Sequence, residues 1–194
     1  MPPVGGMKAF GVMALGLALA GCDLGTEGAR EVAVLQGQIN VRAPLFYCVG
    51  LQSARSTRDT AVVLIGRCTS MGGVAAALVT VTVGHAASAG VMAAGGAALG
   101  HFFATPAGRH ALSRDGRAND VEVLQAGVLD GRLLLHIKDR VAGDSWRAIM
   151  GVKGRLVTVS ASGAQGAPLT ADEGRALVEA TLDALQEANP TGGG

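Results

Sequence analysis

The strongest structural signal in the chain is Arg132-Leu133-Leu134-Leu135-His136-Ile137-Lys138, which directly follows Asp130-Gly131. Its side chains alternate between an apolar and a polar face: Leu133, Leu135 and Ile137 on one, Arg132, His136 and Lys138 on the other. Asp-Gly between two strand-like runs is typical of a β-hairpin turn. The pattern therefore predicts an antiparallel sheet in which one face meets solvent.

Further strand-like runs extend this sheet in both directions along the chain. We predict strands near residues 39–49, 61–67, 77–83, 120–126, 145–152 and 155–161. Lys153-Gly154 lies between the last two runs and predicts a second hairpin there.

Two helices are expected besides the strands. Thr170-Ala171-Asp172-Glu173 matches a capping box, and the helix after it has one apolar stripe that Asn189-Pro190 ends. The stripe consists of Leu177, Val178, Thr181, Leu182 and Leu185. A shorter helix is predicted from Thr105-Pro106 to about Asp115, with helical turns over residues 97–103 before it.

These elements predict an α+β domain over residues 39–190, a mostly antiparallel sheet with a C-terminal amphipathic helix and a shorter helix packed on it. Residues 191–194, Thr-Gly-Gly-Gly, are expected to be a disordered tail. Over about the last fifty residues, the order strand, turn, strand and capped helix resembles the end of proteins with the PsbP/Mog1-like fold. That resemblance implies a fold and no functional residue.

The N-terminal segment has the three parts of a secretory signal. A short region with Lys8 precedes an apolar run over residues 9–18, which is too short to span a bilayer. Leu19-Ala20-Gly21-Cys22 closes the segment and resembles the lipobox of bacterial lipoprotein precursors at every position. The resemblance implies a signal peptide over residues 1–21, acyl chains on Cys22, a lipidated tether over 22–38 and a periplasmic domain. In the enterobacterial lipoprotein pattern, an aspartate at the position of Asp23 implies retention at the inner membrane.

Cys48 and Cys68 remain once Cys22 is assigned to lipid. An even pair in an oxidising compartment favours a structural disulfide. A redox or metal-binding pair is the alternative, although the sequence has no Cys-x-x-Cys and no histidine next to either cysteine.

The chain carries no Asp, Glu, Lys or Arg between Cys68 and Gly108. Residues 74–92 are long enough to cross a bilayer, so a membrane-embedded accessory subunit is one interpretation. The alternation Val79-Thr80-Val81-Thr82-Val83 favours the other, a strand followed by a glycine-rich loop.

No catalytic, metal-binding or cofactor motif stands out. The histidines His85, His101, His110 and His136 lack metal-ligand spacing, and the close set His110, Ser113 and Asp115 is expected to project at different angles. A net charge of +1 without a basic cluster predicts no nucleic-acid partner. We therefore expect a non-enzymatic binding or structural module, with an anchored hydrolase assembled from distant residues as the alternative.

Trp146 and Arg147 are the candidate partner surface, since tryptophan and arginine are enriched in interface hot spots. The alternative, which we favour, is that Trp146 fills one side of the sheet against the C-terminal helix. If a partner surface is present, we expect an envelope protein to bind it.

Overall fold

The computed structural model describes residues 28–69, 72–164 and 166–190. The predicted lipidation site Cys22, the following Asp23 and the tail 191–194 lie outside these residues. Strands within the described residues are β1 (Glu31–Val34), β2 (Ile39–Arg42), β3 (Tyr47–Val49), β4 (Arg55–Ser56), β5 (Ala61–Arg67), β6 (Ala77–Val83), β7 (Val121–Leu129), β8 (Arg132–Asp139), β9 (Gly143–Val152) and β10 (Arg155–Gly163).

The main sheet has the strand order β3-β5-β6-β10-β9-β8-β7, with the short strand β4 also paired to β5. All of its pairings are antiparallel, and β1 and β2 form a separate antiparallel hairpin. The helices are α1 (Gly96–Ala104), α2 (Pro106–Leu112) and α3 (Ala171–Ala188). The predicted α+β class is confirmed.

Helix α3 has the predicted capping box and the predicted apolar stripe. The Thr170 hydroxyl accepts from the Glu173 N–H at 3.2 Å, and the Glu173 carboxylate accepts from the Thr170 N–H at 2.9 Å. The stripe residues Leu177, Val178, Thr181, Leu182 and Leu185 are all buried. This stripe anchors α3 on β9, β10 and the β1–β2 hairpin.

The shorter helix α2 ends at Leu112, three residues before the predicted end. The Ser113 hydroxyl accepts from the N–H groups of Asp115 and Arg117, at 3.3 and 3.0 Å. Serine side chains that bond to nearby backbone N–H groups favour a turn over a helix, which explains the early end.

The folded domain starts earlier than predicted. The tether expected over residues 22–38 includes β1, and the side chains of Val34 and Leu35 are buried in the core. The turn between β1 and β2 places Leu35 and Gln36 at φ 54° and 59°, in the left-handed region. Non-glycine residues rarely adopt that conformation, so the sequence gives little sign of this hairpin.

Two predicted segments are corrected by the structure. The strand expected over residues 39–49 is divided into β2 and β3 by a turn, in which Phe46 adopts φ 69°. Residues 77–83 form β6 in the middle of the sheet, so the interpretation of 74–92 as a membrane span is wrong. Among the described residues, no helix combines the length and apolarity needed to cross a membrane.

The two faces of the sheet are covered unequally. Helix α3 and the β1–β2 hairpin cover one face over β5, β6, β10 and β9, whereas α1 and α2 cover the opposite face over β7 and β8. Leu133, Leu135 and Ile137 face α1 and α2, as the alternation predicts. The half formed by β3, β5 and β6 has one open face, as predicted. Strands β8 and β9 instead bury side chains on both faces, with Leu134 and Trp146 on one and Leu135 and Ile149 on the other.

Candidate functional site

Trp146 lies on β9, on the face of the sheet that α3 covers. Its side chain is only 5% exposed and belongs to the core beneath α3. Gly174 makes room for it, because a Cβ at that position would stand 2.8 Å from the Trp146 Cδ1 atom. The interpretation that Trp146 fills the sheet against the C-terminal helix is confirmed.

Two side chains border the Trp146 indole. The His136 imidazole, on neighbouring strand β8, stacks parallel to it with ring centroids 4.9 Å apart. The Arg175 guanidinium from α3 lies 5.9 Å from the indole centroid, within range of a cation–π contact. Arg175 also donates to the Glu179 carboxylate at 2.8 Å, and this bond raises the pKa of Arg175.

Arg147, the other predicted partner residue, points to the opposite face, as alternation along β9 requires. Burial lowers the pKa of Arg147, and the negative charge of Asp139 opposes that shift. Trp146 and Arg147 therefore do not form one surface, and the predicted patch is divided between two faces of the sheet.

The indole and Arg175 instead form part of a notch at the edge of the sheet. The notch has a volume of about 90 Å³ and is lined mainly by Gln125, Gly127, Leu129, Leu134, Trp146 and Arg175. A Cβ at Gly127 would meet nothing within 4 Å, so the missing side chain leaves the notch open. The notch thus has an apolar floor and one cationic side.

Strand β7 runs beside this notch and is an end strand of the main sheet, with β8 as its neighbour. Residues 124–129, Leu-Gln-Ala-Gly-Val-Leu, are all exposed and carry no charge. Edge strands present unpaired N–H and C=O groups that a further strand can pair with. An extended chain added to β7 would therefore pass beside the notch.

The second open region lies at the other end of the sheet, beside the predicted disulfide, which the structure contains. Cys48 on β3 is bonded to Cys68, which follows β5, and their Cα atoms are 5.0 Å apart. A groove of about 380 Å³ runs along this edge, lined by the disulfide, Leu64, Gly66 and Leu78 among others. A Cβ at Gly66 would also meet nothing within 4 Å.

The described chain begins at this edge. Ala29 accepts from the Val49 N–H at 2.7 Å, and a Cβ at Gly28 would stand 2.7 Å from the Cys48 Cβ atom. Gly28 itself lines the groove. The path from the N-terminal segment into the domain is therefore fixed against the disulfide.

Arg155 is a structural residue that sequence reasoning missed. Its guanidinium donates to the carbonyls of Asp59 and Gly84, at 2.6 and 3.0 Å, and to the Gln38 side-chain oxygen at 3.2 Å. Together with an N–H bond from Ala86, Arg155 lowers the pKa of Asp59. Arg155 follows the Lys153-Gly154 turn, where the sequence pattern indicates only an exposed hairpin.

The histidines form no evident reactive centre within the described ranges. There, no cluster of three or more His, Cys, Asp or Glu side chains is arranged to hold a metal ion. Across those same ranges, no hydrogen bond joins a histidine ring to a carboxylate. The sequence also places His110, Ser113 and Asp115 close together. In the structure, the Ser113 hydroxyl accepts hydrogen bonds from the backbone N–H groups of Asp115 and Arg117.

Comparisons with known proteins return a solved structure but no sequence match. No protein-family model and no curated protein matches the chain. A solved structure of a mutant of the protein Mog1 is similar with a TM-score of 0.41 and 15% sequence identity, over 81% of this chain and 93% of that one.

Proposed function

We propose that this protein is a lipid-anchored protein of the bacterial envelope whose domain, on the periplasmic side, binds a partner rather than catalysing a reaction. The observation that carries the proposal is the lipobox Leu19-Ala20-Gly21-Cys22 behind an apolar run of secretory length. Two or more acyl chains on Cys22 would hold the protein at a membrane. Asp23 favours the inner membrane.

The disulfide supports an extracytoplasmic location. Disulfides persist in oxidising compartments such as the periplasm and are rare in the bacterial cytosol. Cys48 and Cys68 form such a bond between two elements of the sheet.

The β7 edge is the surface that best fits a binding role. A partner segment in extended conformation would pair with β7 and place one side chain in the notch beside Trp146. Apolar side chains fit the floor of Leu129, Leu134 and Trp146, and Arg175 favours a carboxylate at the rim. In this proposal Trp146 forms the floor of the binding notch and is not itself an exposed contact residue.

The anchor is tested by the intact mass of protein purified from membranes, measured before and after reduction. We expect a chain that begins at Cys22 with added acyl mass, and thiol labelling of Cys48 and Cys68 only after reduction. The variant Cys22→Ser should leave the membrane fraction while its disulfide stays intact. A mass that begins at Met1 without acyl groups would contradict the proposed anchor.

The binding surface is tested by photo-crosslinking from position 125 in cells, with position 82 on the other open face as the control. We expect a discrete adduct from position 125 that Gly127→Leu abolishes, because leucine fills the notch. The matched variant Gly66→Leu should leave the adduct unchanged, since both glycines have open space above them. Equal adducts from both positions, or insensitivity to Gly127→Leu, would contradict a site at β7.

A further inference from the structure

We propose that the domain rests on the bilayer through its disulfide edge, with Phe46 and Leu51 entering the lipid interface. This inference rests on the proposed acylation of Cys22 and specifies how the anchored domain is oriented. The occupant of the groove beside the disulfide is then the membrane surface itself.

The first argument is reach. Cys22 lies six residues before Gly28, and Gly28 and Ala29 are packed and hydrogen bonded at the disulfide edge. An extended chain spans at most about 3.6 Å per residue, so this edge lies within about 22 Å of an acylated Cys22. The β7 edge is six strand spacings away across the sheet, which is about 29 Å.

The second argument is the apolar surface around the groove. Phe46 and Leu51 are 40% and 56% exposed, and Leu45 and Leu78 are exposed as well. The Phe46 carbonyl accepts from the Cys68 N–H at 3.1 Å, and the N–H of Gly50, next to Leu51, donates to Leu64 at 2.9 Å. These bonds fix the backbone at Phe46 and beside Leu51 next to the groove, because Cys68, Gly50 and Leu64 line it. Exposed apolar patches mark interaction surfaces.

The third argument is charge. Residues 43–60, which lead from the β1–β2 hairpin to β5, contain Arg55 and Arg58 and one carboxylate, Asp59, which pairs with Arg155 at 3.3 Å. Arg67 at the rim of the groove adds a further positive charge. Bacterial inner membranes present anionic headgroups, which attract such a side and would be repelled by carboxylates.

This orientation separates the two open regions. The groove is occupied by lipid, while the notch beside Trp146 stays on the distant edge and remains available to a partner. Two other occupants, the chain's own residues 23–27 and a second copy of the protein, would cover the groove without any membrane.

The test uses the full acylated chain in vesicles of phosphatidylethanolamine and phosphatidylglycerol with brominated acyl chains, which quench nearby indoles. Two variants are compared, Phe46→Trp and Val141→Trp; Val141 is 59% exposed in the turn between β8 and β9. Trp146, the only native tryptophan, is buried and gives the same background in both.

We expect at least a two-fold loss of the added emission in Phe46→Trp and no loss in Val141→Trp. If Phe46→Trp and Val141→Trp are quenched equally in protein that floats with the vesicles, the proposed orientation is wrong, whereas the proposed acyl anchor is still supported. A second measurement uses acrylamide quenching of the introduced indole in detergent, without vesicles. If the indole is protected there, the chain itself or a second copy covers the groove, and the membrane orientation is wrong. Protein that carries no acyl mass and does not float overturns the anchor and, with it, this orientation.

Discussion

The two halves of the sheet are stabilised in different ways. The half formed by β3, β5 and β6 carries the disulfide and packs on one face only, with Val63, Ile65, Val79 and Val81 fully buried and Thr82 exposed on the opposite side. The half formed by β9, β8 and β7 has no disulfide among the described residues, and it packs on both faces in part.

This difference shows how a chain with few aromatic residues obtains two stable halves. Aromatic residues are 3% of the sequence, and the one tryptophan lies in the half without the disulfide. The Cys48–Cys68 disulfide therefore stabilises one end of the sheet, and the buried Trp146 ring stabilises the other. Each end also keeps one open face, marked by a strand glycine with free space above it.

The largest effect is expected from Trp146→Ala. Deleting a buried tryptophan ring leaves a cavity and costs about 3–5 kcal/mol. Urea unfolding followed by circular dichroism measures this loss, and Phe102→Ala, at an exposed ring on α1, is the control with a loss below about 1 kcal/mol. If Trp146→Ala loses no more than Phe102→Ala, the tryptophan does not stabilise its half.

Removal of the disulfide should come next. The bond closes a loop of 20 residues, and a loop of that size contributes about 3 kcal/mol. We expect the Cys48→Ala, Cys68→Ala double variant to unfold at correspondingly lower urea. Amide exchange should accelerate in β5 before β8, and uniform acceleration through the whole sheet would show that the two halves do not open separately.

Gly174→Ala should destabilise the protein although alanine is the better helix former. The propensity gain is about 1 kcal/mol, whereas the new Cβ would approach the Trp146 ring to 2.8 Å, and overpacking costs about 1–3 kcal/mol. We expect a net loss in thermal unfolding that Trp146→Phe partly relieves. Gly127→Ala, where the space is open, should cost nothing measurable; equal losses at both glycines would refute the packing argument.

The smallest effect is expected from Asp139→Asn, at the end of β8. Burial opposes ionisation of Asp139, but N–H bonds from Ala142 and Val141 outweigh it and lower its pKa. A lowered folded pKa stabilises the protein above the unfolded value of about 3.9, and the contribution disappears as pH falls through the folded pKa. The unfolding midpoint of Asp139→Asn should therefore fall less steeply below about pH 4 than that of the parent chain.

An identical pH profile for both proteins would show that Asp139 does not contribute in this way. The N–H partners belong to the turn between β8 and β9, so the effect should be confined to the half that Trp146 stabilises.

The parts of the fold with local signals were predictable. Strands β5 and β6 have the predicted bounds, because β5 is a run of branched apolar residues and valine alternates with threonine along β6. Helix α3 begins where its capping box requires. The disulfide followed from counting cysteines. The β1–β2 hairpin was missed because its turn uses Leu35 and Gln36 in a conformation that these residues rarely adopt.

The site depended on information that no local pattern contains. The exposure of β7 follows from its terminal position in the strand order, and the separation of Trp146 from Arg147 follows from which face each helix covers. Arg155 joins elements 71 to 117 residues away in sequence, so its role exists only in the folded chain.

The pairing of β6 with β10 has a consequence for the timing of folding. These neighbours in the middle of the sheet are distant in sequence, with Val81 opposite Val159. Contacts between distant segments form slowly because a long loop must close before they are gained. An emerging chain therefore cannot pair β6 with β10 until β10, the last strand of the described residues, has been released.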